Sequence, residues 1–491
     1  MVSKSCQWGC SLLTIIEKAK FIKKGRNKMR RNKGSTLIAL VITIIVLLIL
    51  AGVAIAMLSG QNGILRKATE AKTKTEQAQE EEQTKLAQME AASNLNGTTH
   101  TEKVASIGNK EISVKIPAGF SLSPREGEQK IETGMVIIDQ EGNEYVWIPV
   151  FEKDANCTWG VDYSTVKTKA EDSDGYYTAI QTALKTYTAT YKQNGYGYVD
   201  AWYGNSSYGQ YGYYDGTKFI YYTNGNMTEE EYNKLYRGML KSVYENGGFY
   251  IGRYEMGIAV VNSIAEAQQK TRIKMEEYTA STATNTSTTT VAKGAPSIEG
   301  MAIPVSKANA VPYNYITQSQ AQMLAEKLGK KSSYSQVTSS IMFGVQWDAV
   351  CVFIEKCDKN NTVASNWLKS DSYCNLWGNF RNAEFKLDRG FYTTSYDKDQ
   401  VTWTEDYVTK KGTTTEWLCT TGASEQNKSL NIYDFGGNEA EWTLERFNRV
   451  DSPCVDRGFG FSVKNYVSYR NVVYIYRSNF YTSSRVALYI K

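Results

Sequence analysis

The chain has 491 residues, of which 12% are aromatic, and it contains 35 tyrosines, ten tryptophans and a single histidine, His100. An aromatic content this high predicts a folded protein rather than a disordered one. The lone histidine excludes histidine-based catalytic triads, histidine metal clusters and histidine acid–base pairs. At this length the chain can hold an anchor and one large domain, or two smaller domains.

The positive charge of the chain is concentrated in residues 1–34. They contain ten of the 56 lysines and arginines and one of the 51 acids, so the remainder holds 46 bases and 50 acids. Because no folded basic surface accompanies this block, we expect no nucleic-acid partner. Translation that starts at Met29 is the preferred explanation for the block, and it leaves residues 1–28 without an assigned function.

The segment Leu37–Leu58 is a run of 22 residues without a charge. As a helix rising about 1.5 Å per residue it would be about 33 Å long, enough to cross a hydrocarbon core of about 30 Å. The cations before it predict a cytoplasmic N-terminus and an extracellular remainder. We therefore predict a leader over residues 1–34 and a single transmembrane helix over residues 35–59.

The letters MRRNKG followed by STLIAL resemble the signal of bacterial type IV prepilins. The resemblance implies cleavage after Gly34 by a prepilin peptidase, a mature chain that begins at Ser35, a bacterial cell-membrane location and contact with pilus-type assembly proteins. Pilins usually carry a glutamate five residues after the cut, where this chain has Ala39, so a filament-forming major subunit is disfavoured. A plain signal anchor is the alternative interpretation.

The composition changes again beyond the anchor. Residues 64–93 are rich in Ala, Glu, Gln and Lys, with small apolar residues at helical spacing, which predicts a helical stalk over residues 60–94. Residues 95–133 are then expected to form a connector. Six of the eight cysteines lie beyond the leader, an even number that permits up to three disulfides, with buried free thiols as the alternative.

Short β patterns follow at residues 111–117, 134–150 and 248–261. Thr317 and Gln320 have the spacing of a capping box at the start of a helix, and a second helix is predicted over Val345–Cys357. Two segments have the composition of insertions: residues 187–222, with eleven tyrosines, and residues 278–297, which are of low complexity.

Six segments occur in an order similar to that of the formylglycine-generating enzyme family: GGFYIGRYEMG, VPYNYITQSQAQMLAEKLG, FGVQWDAVCVFIE, NIYDFGGNEAEWT, RGFGF and SRVAL. The resemblance implies an α+β fold: a loop-rich domain of the C-type lectin type over residues 134–491, with insertions near 156–240 and 278–297, preceded by the membrane and stalk helix. In the family, the residues matching Asn438 and Glu441 help to ligate a structural calcium ion. Hydrogen bonding within the loop is the alternative role, and no organic cofactor is expected.

The family's oxidation chemistry uses a cysteine pair near the C-terminus, and residues 457–491 contain no cysteine. We therefore expect no enzymatic activity, because the copper ligands of that chemistry are missing. A divergent enzyme of the same family is kept as an alternative function.

Residues 465–482 contain five tyrosines together with Asn, Ser, Arg and Phe, which is the composition of an antibody paratope. Their position is similar to that of the diversified segment in the variable proteins of diversity-generating retroelements. We predict a surface-displayed protein that binds an unknown extracellular protein or glycan, with a minor pilin or pseudopilin as the alternative. The predicted binding residues are Tyr466, Tyr469, Tyr474, Tyr476, Asn479 and Tyr481, with Val472, Val473 and Ile475 pointing partly inward and Arg485, Val486 and Leu488 in the core.

Overall fold

The fold is mixed α and β. The computed structural model describes residues 40–48, 64–191, 197–205, 211–215, 217–272, 281–282, 295–358, 364–373, 377–394, 401–406, 409–410 and 416–491. It divides into two compact units, residues 1–76 and residues 77–491.

In the first unit residues 40–48 are helical, whereas the leader, Gly34, Ser35 and the rest of the predicted transmembrane segment lie outside the described residues. Within the part of the chain that the structure describes, no helix is both long and apolar enough to span a membrane.

The helices beyond residue 63 are spread along the chain. They are α1 Ile64–Ser93, α2 Asp174–Tyr187, α3 Glu229–Asn246, α4 Ile264–Lys270, α5 Gln318–Gly329, α6 Gly344–Cys357 and α7 Ala364–Lys369. The predicted capping box at the start of α5 is confirmed, because the Gln320 N–H donates to the Thr317 hydroxyl at 3.2 Å and the Thr317 N–H donates to the Gln320 side chain at 3.0 Å. The helix predicted over Val345–Cys357 is α6.

The strands are short and numerous. They are β1 Thr98–Val104, β2 Lys110–Ile116, β3 Phe120–Leu122, β4 Val136–Asp139, β5 Glu144–Pro149, β6 Tyr198–Val199, β7 Tyr211–Tyr214, β8 Phe219–Tyr221, β9 Gly248–Gly252, β10 Gly257–Val260, β11 Ser281–Thr282, β12 Ala310–Pro312, β13 Val337–Ile341, β14 Phe385–Lys386, β15 Tyr392–Thr393, β16 Trp403–Thr404, β17 Thr409–Lys410, β18 Leu418–Cys419, β19 Lys428–Ser429, β20 Ile432–Tyr433, β21 Ala440–Phe447, β22 Cys454–Arg457, β23 Arg470–Val473, β24 Thr482–Ser484 and β25 Val486–Ile490.

A six-stranded antiparallel sheet forms the centre of the second unit, in the order β13-β25-β9-β5-β4-β3. Strand β25, the last in the chain, lies between β13 and β9, so that Val486 pairs with Ile341 and Leu488 with Tyr250. Both Val486 and Leu488 are buried, as expected for residues that secure the core. The sheet therefore joins strands from the two ends of this unit.

A second sheet contains β23 and β24, which include residues of the segment 465–482. Strand β22 pairs antiparallel with β21 and with β23, β24 runs parallel to β21, and β6 from the tyrosine-rich insertion pairs with the far end of β21. Helix α6 lies against this sheet and is buried along almost its whole length. The insertion is thus hydrogen-bonded into the fold through β6.

The C-terminal part of α1, from residue 77 on, belongs to the second unit and packs within it. Ala87 and Ala91 are buried, the Ser121 hydroxyl donates to the Ala87 carbonyl at 2.8 Å, and Leu86 and Met89 are exposed on the same stretch of helix. Because small side chains allow close approach, the alanines and not the larger apolar residues form the contact with the domain.

No disulfide joins the cysteines of the described residues. Cys157, Cys351, Cys357, Cys419 and Cys454 are all buried, and Cys374 lies outside the described residues. Burial raises the pKa of the Cys454 thiol to about 12, so this side chain stays protonated at neutral pH. These five residues correspond to the buried-thiol alternative.

Candidate functional site

The segment 465–482 lies at the surface of the second sheet. None of the six predicted binding residues is buried: Tyr474 is 39% exposed, and the other five are half-buried. Val473 and Ile475 are buried on either side of Tyr474, while Val472 is half-buried. Strand β23 ends at Val473 and the chain turns at Ile475 and Tyr476, so Tyr474 lies outward between two buried apolar side chains at the end of the strand.

Two arginines beneath the segment form a buried ion-pair network. Arg457 donates to Asp348 at 2.7 Å and to Glu445 at 3.2 Å, and Arg470 donates to the same two acids at 2.5 and 2.8 Å. All four side chains are at most 5% exposed. Since a buried charge is costly without a partner, this closed network fixes β22 and β23 against α6. Sequence reasoning missed Arg470, which lies inside the predicted binding segment but serves its scaffold.

Part of the tyrosine-rich insertion packs against the segment. The Tyr211 ring lies 5.0 Å from the Tyr476 ring and 6.4 Å from the Tyr474 ring in edge-to-face geometry, and Tyr474 stacks on Tyr476 at 5.5 Å. We call Tyr211, Tyr474 and Tyr476 the tyrosine patch. Residues 187–222 therefore contribute to the same surface as the segment 465–482, rather than forming an unrelated aromatic region.

The remaining predicted residues form two further groups. Tyr466 and Tyr469 pack edge to face at 5.3 Å, with Phe459 against Tyr469 at 4.8 Å. Tyr481 lies beside Phe480 and under the guanidinium of Arg477. The side-chain oxygen of Asn479 accepts the Tyr481 N–H at 3.1 Å. The structure thus brings Tyr474 and Tyr476 together but does not place all six residues in one cluster.

Partial burial, followed by the neighbouring hydroxyls of Tyr211 and Tyr474, raises the pKa of Tyr476 to about 12. Its phenol is therefore neutral at physiological pH and can both donate and accept a hydrogen bond. Below the segment, burial raises the pKa of Asp456 in β22 to about 7, against a hydrogen bond from Asn471 that lowers it.

The residues predicted to hold calcium have protein partners. Glu441 accepts hydrogen bonds on both carboxylate oxygens from Arg485, at 2.6 to 3.1 Å. The side-chain oxygen of Asn438 accepts from the Asn379 amide and from the Cys419 N–H, each at 2.9 Å. With these hydrogen bonds the two side chains have the partners that the alternative role within the loop requires, and the calcium site stays a prediction.

Arg485 itself occupies a cage of oxygen atoms. Besides Glu441, it donates to the carbonyls of Gly252 and Tyr433, each at 2.9 Å, and it is fully buried. Within the described ranges, no group of three or more His, Cys, Asp or Glu side chains is arranged to hold a metal ion.

Two buried acids beside this loop were missed by sequence reasoning. Burial, followed by neighbouring carboxyls, raises the pKa of Glu255 well above its usual range, and burial does the same to Glu439. Each acid has one carboxyl oxygen with no hydrogen-bond partner among the described residues. Glu439 stands inside the motif NIYDFGGNEAEWT, but nothing in its letters distinguishes it from an exposed acid.

The comparisons with known proteins add little to this geometry. No family model matches the chain, and no curated protein matches it. A solved structure that is similar is the crystal structure of CarF, at 12% sequence identity and a TM-score of 0.28, with 50% of this chain and 88% of that chain covered. At this level of similarity the match carries no argument, so the resemblance to formylglycine-generating enzymes stays a prediction from the motifs.

Proposed function

We propose that this chain is a non-catalytic surface-display protein, anchored in a bacterial cell membrane, that binds an extracellular macromolecule through the tyrosine patch and the rest of the segment 465–482. The anchor rests on the uncharged run Leu37–Leu58 and the cations before it. The absence of a catalytic role rests on the missing cysteines in residues 457–491.

The binding proposal rests on a single observation. The tyrosines lie at the surface, and the strands below them are fixed by contacts in which these tyrosines take no part. Tyr474 is outward between buried Val473 and Ile475, and the network of Arg457 and Arg470 fixes the strands below. Tyrosine gives large contact area at low entropic cost, and separating a variable surface from its scaffold allows the surface to change without loss of the fold.

The test replaces Tyr474 and Tyr476 together by alanine in the full-length chain. Protein and glycan arrays would identify a ligand of the unaltered chain, and titration would give its affinity. We expect the double variant to lose at least about 2 kcal/mol of binding free energy, roughly thirtyfold in Kd, if these side chains are hot spots. Its free energy of unfolding should change by no more than about 1 kcal/mol, because Tyr474 is exposed and Tyr476 half-buried, and surface side chains contribute little to folding.

The matched control is Tyr214→Ala, since Tyr214 is 48% exposed in the same insertion but lies outside the tyrosine patch. It should leave both affinity and stability unchanged. Unaltered affinity in the double variant, or its failure to fold, would contradict the proposal, because the tyrosines would then be either irrelevant to binding or part of the core.

A further inference from the structure

A cleft on the side of the domain formed by α2, α3 and residues 200–205 has a volume of about 540 Å³. This lies within the size range of small-molecule binding sites, roughly 300 to 1,000 Å³. Its wall contains three aromatic rings, those of Tyr177, Trp202 and Tyr236, and the amides of Gln181 and Asn233. None of these residues belongs to the tyrosine patch, so a ligand here would be a second one.

Five charged side chains line the cleft, of which Glu229 is exposed at the start of α3 and the other four have partners within the protein. Asp174 and Arg237 form an ion pair at 2.5 Å across α2 and α3. Asp200 accepts the backbone N–H groups of Gly344 and Val345, at 2.7 and 3.1 Å, at the N-terminus of α6. A strongly charged ligand would have to compete with these contacts, whereas a neutral ligand would leave them intact.

The aromatic rings and amides of the cleft are held in defined positions. The Trp202 indole N–H donates to the Met227 carbonyl at 2.9 Å, and Gly204 lies so close behind the ring that a Cβ at that position would collide with it. The Gln181 amide donates to the Tyr236 hydroxyl at 2.9 Å, which orients its plane. Trp202 is half-buried, and Asn233 is exposed on the wall of the cleft.

We propose that this cleft binds a neutral saccharide. A saccharide presents several hydroxyl groups, each a donor and an acceptor, and these match planar amides that carry both functions. Its C–H faces are apolar, and they match flat aromatic rings whose polar ends are engaged elsewhere. A neutral ligand is favoured over an acidic one, because Glu229 would repel an acidic ligand and a neutral one leaves the paired charges of the wall intact.

The experiment uses the full-length chain in a detergent without a sugar headgroup. An array of neutral and acidic oligosaccharides selects a ligand, and calorimetric titration of the best neutral oligosaccharide measures Kd. We expect Asn233→Ala and Gln181→Ala each to weaken binding by about fivefold to tenfold, the loss of roughly one hydrogen bond. Lys234→Ala is the control, since Lys234 is exposed on the same helix but does not line the cleft, and it should leave Kd unchanged.

Three results would overturn the inference: binding of no oligosaccharide, binding of acidic ones alone, or an unchanged Kd in both cleft variants. The Tyr474→Ala/Tyr476→Ala variant should keep its affinity for the saccharide. Loss of saccharide binding in that variant but not in the cleft variants would move the ligand to the tyrosine patch, which refutes the cleft while supporting the proposed function.

Discussion

Arg470 and Arg477 are seven residues apart in the same segment, yet their surroundings differ completely. Arg470 is 3% exposed and pairs with Asp348 and Glu445, whereas Arg477 is half-buried at the surface over the Tyr481 ring. In this segment, two residues of the same type therefore have different roles. Contact with a buried acid separates a scaffold arginine from a surface one.

These two arginines give a matched test of the scaffold. Arg470→Ala should lower the free energy of unfolding by about 3 to 5 kcal/mol, because it leaves two buried acids with only Arg457 to neutralise them. Arg477→Ala should cost no more than about 1 kcal/mol, the value of an exposed cation–aromatic contact. Chemical denaturation of both variants measures the difference, and similar losses would show that the buried network is not what holds the segment.

Asp456 makes stability depend on pH. Because its pKa is about 7 in the folded chain and about 3.9 when unfolded, the folded state holds a proton that the unfolded state has lost between these values. The stabilisation by this group is fully present below about pH 4 and is lost as pH rises through about 7. Asp456→Asn should therefore flatten the decline of Tm between pH 4 and 7.

Asp215→Asn is the control for that pH series. Its carboxylate accepts hydrogen bonds from the Lys218 and Thr217 N–H groups, which, with the Thr217 hydroxyl, hold its pKa at about 2, so it does not titrate in this interval. If Tm depends on pH equally in the unaltered chain and in Asp456→Asn, then Asp456 ionises at its ordinary pKa.

At the scale of elements, local signals predicted more than composition did. The structure confirms three local predictions: the β pattern over residues 134–150, which forms β4 and β5, the capping box before α5, and the helix α6. The place of the insertion does not follow in this way. The contact of Tyr211 with Tyr476 joins residues 265 positions apart, and no pattern within either segment encodes it.

The predicted calcium site shows the same limit of prediction from sequence. The family motif predicts Asn438 and Glu441 as ligands, but Arg485 comes from a different part of the chain and donates to the Glu441 carboxylate. Spacing within a motif identifies groups that lie close together. It does not reveal which distant side chain reaches them.

The hairpin of β7 and β8 gives a prediction for an element. Gly212→Ala should displace the hairpin, because a Cβ at Gly212 would collide with the Ile220 carbonyl across the pair. We expect weaker binding of the macromolecular ligand, since Tyr211 would leave the tyrosine patch.

Gly238→Ala in α3 is the control: its Cβ would meet only the Tyr489 ring at 3.7 Å, and the change should add about 0.5 to 1 kcal/mol of stability. If Gly212→Ala binds the ligand with unchanged affinity, the insertion does not contribute to binding.

At the scale of the whole second unit, the order of strands in the central sheet is the dominant fact. Strand β25 contributes buried Val486, Ala487 and Leu488 between β13 and β9. Without it, β9 and β13 would each lose a partner, and their apolar faces and backbone groups would be open to water.

A chain that ends at Arg485 should therefore show no cooperative unfolding transition and should aggregate on expression. A chain that ends at Ile490 is the control, since it keeps β25 and lacks only the exposed Lys491. Thermal unfolding followed by circular dichroism distinguishes the two. A truncated chain with a cooperative transition near that of the full length would mean that the sheet closes without its second strand.

The position of β25 also couples folding to the reading frame of the message. Residues 465–482 precede this strand, so a stop codon or a shift of frame among the codons for the surface tyrosines also removes the strand that completes the sheet. Substitutions there, by contrast, leave β25 intact. A cell that varied these codons would expose only products translated in frame through all of residues 465–482, because interrupted ones would fail to fold and would be removed by proteolysis.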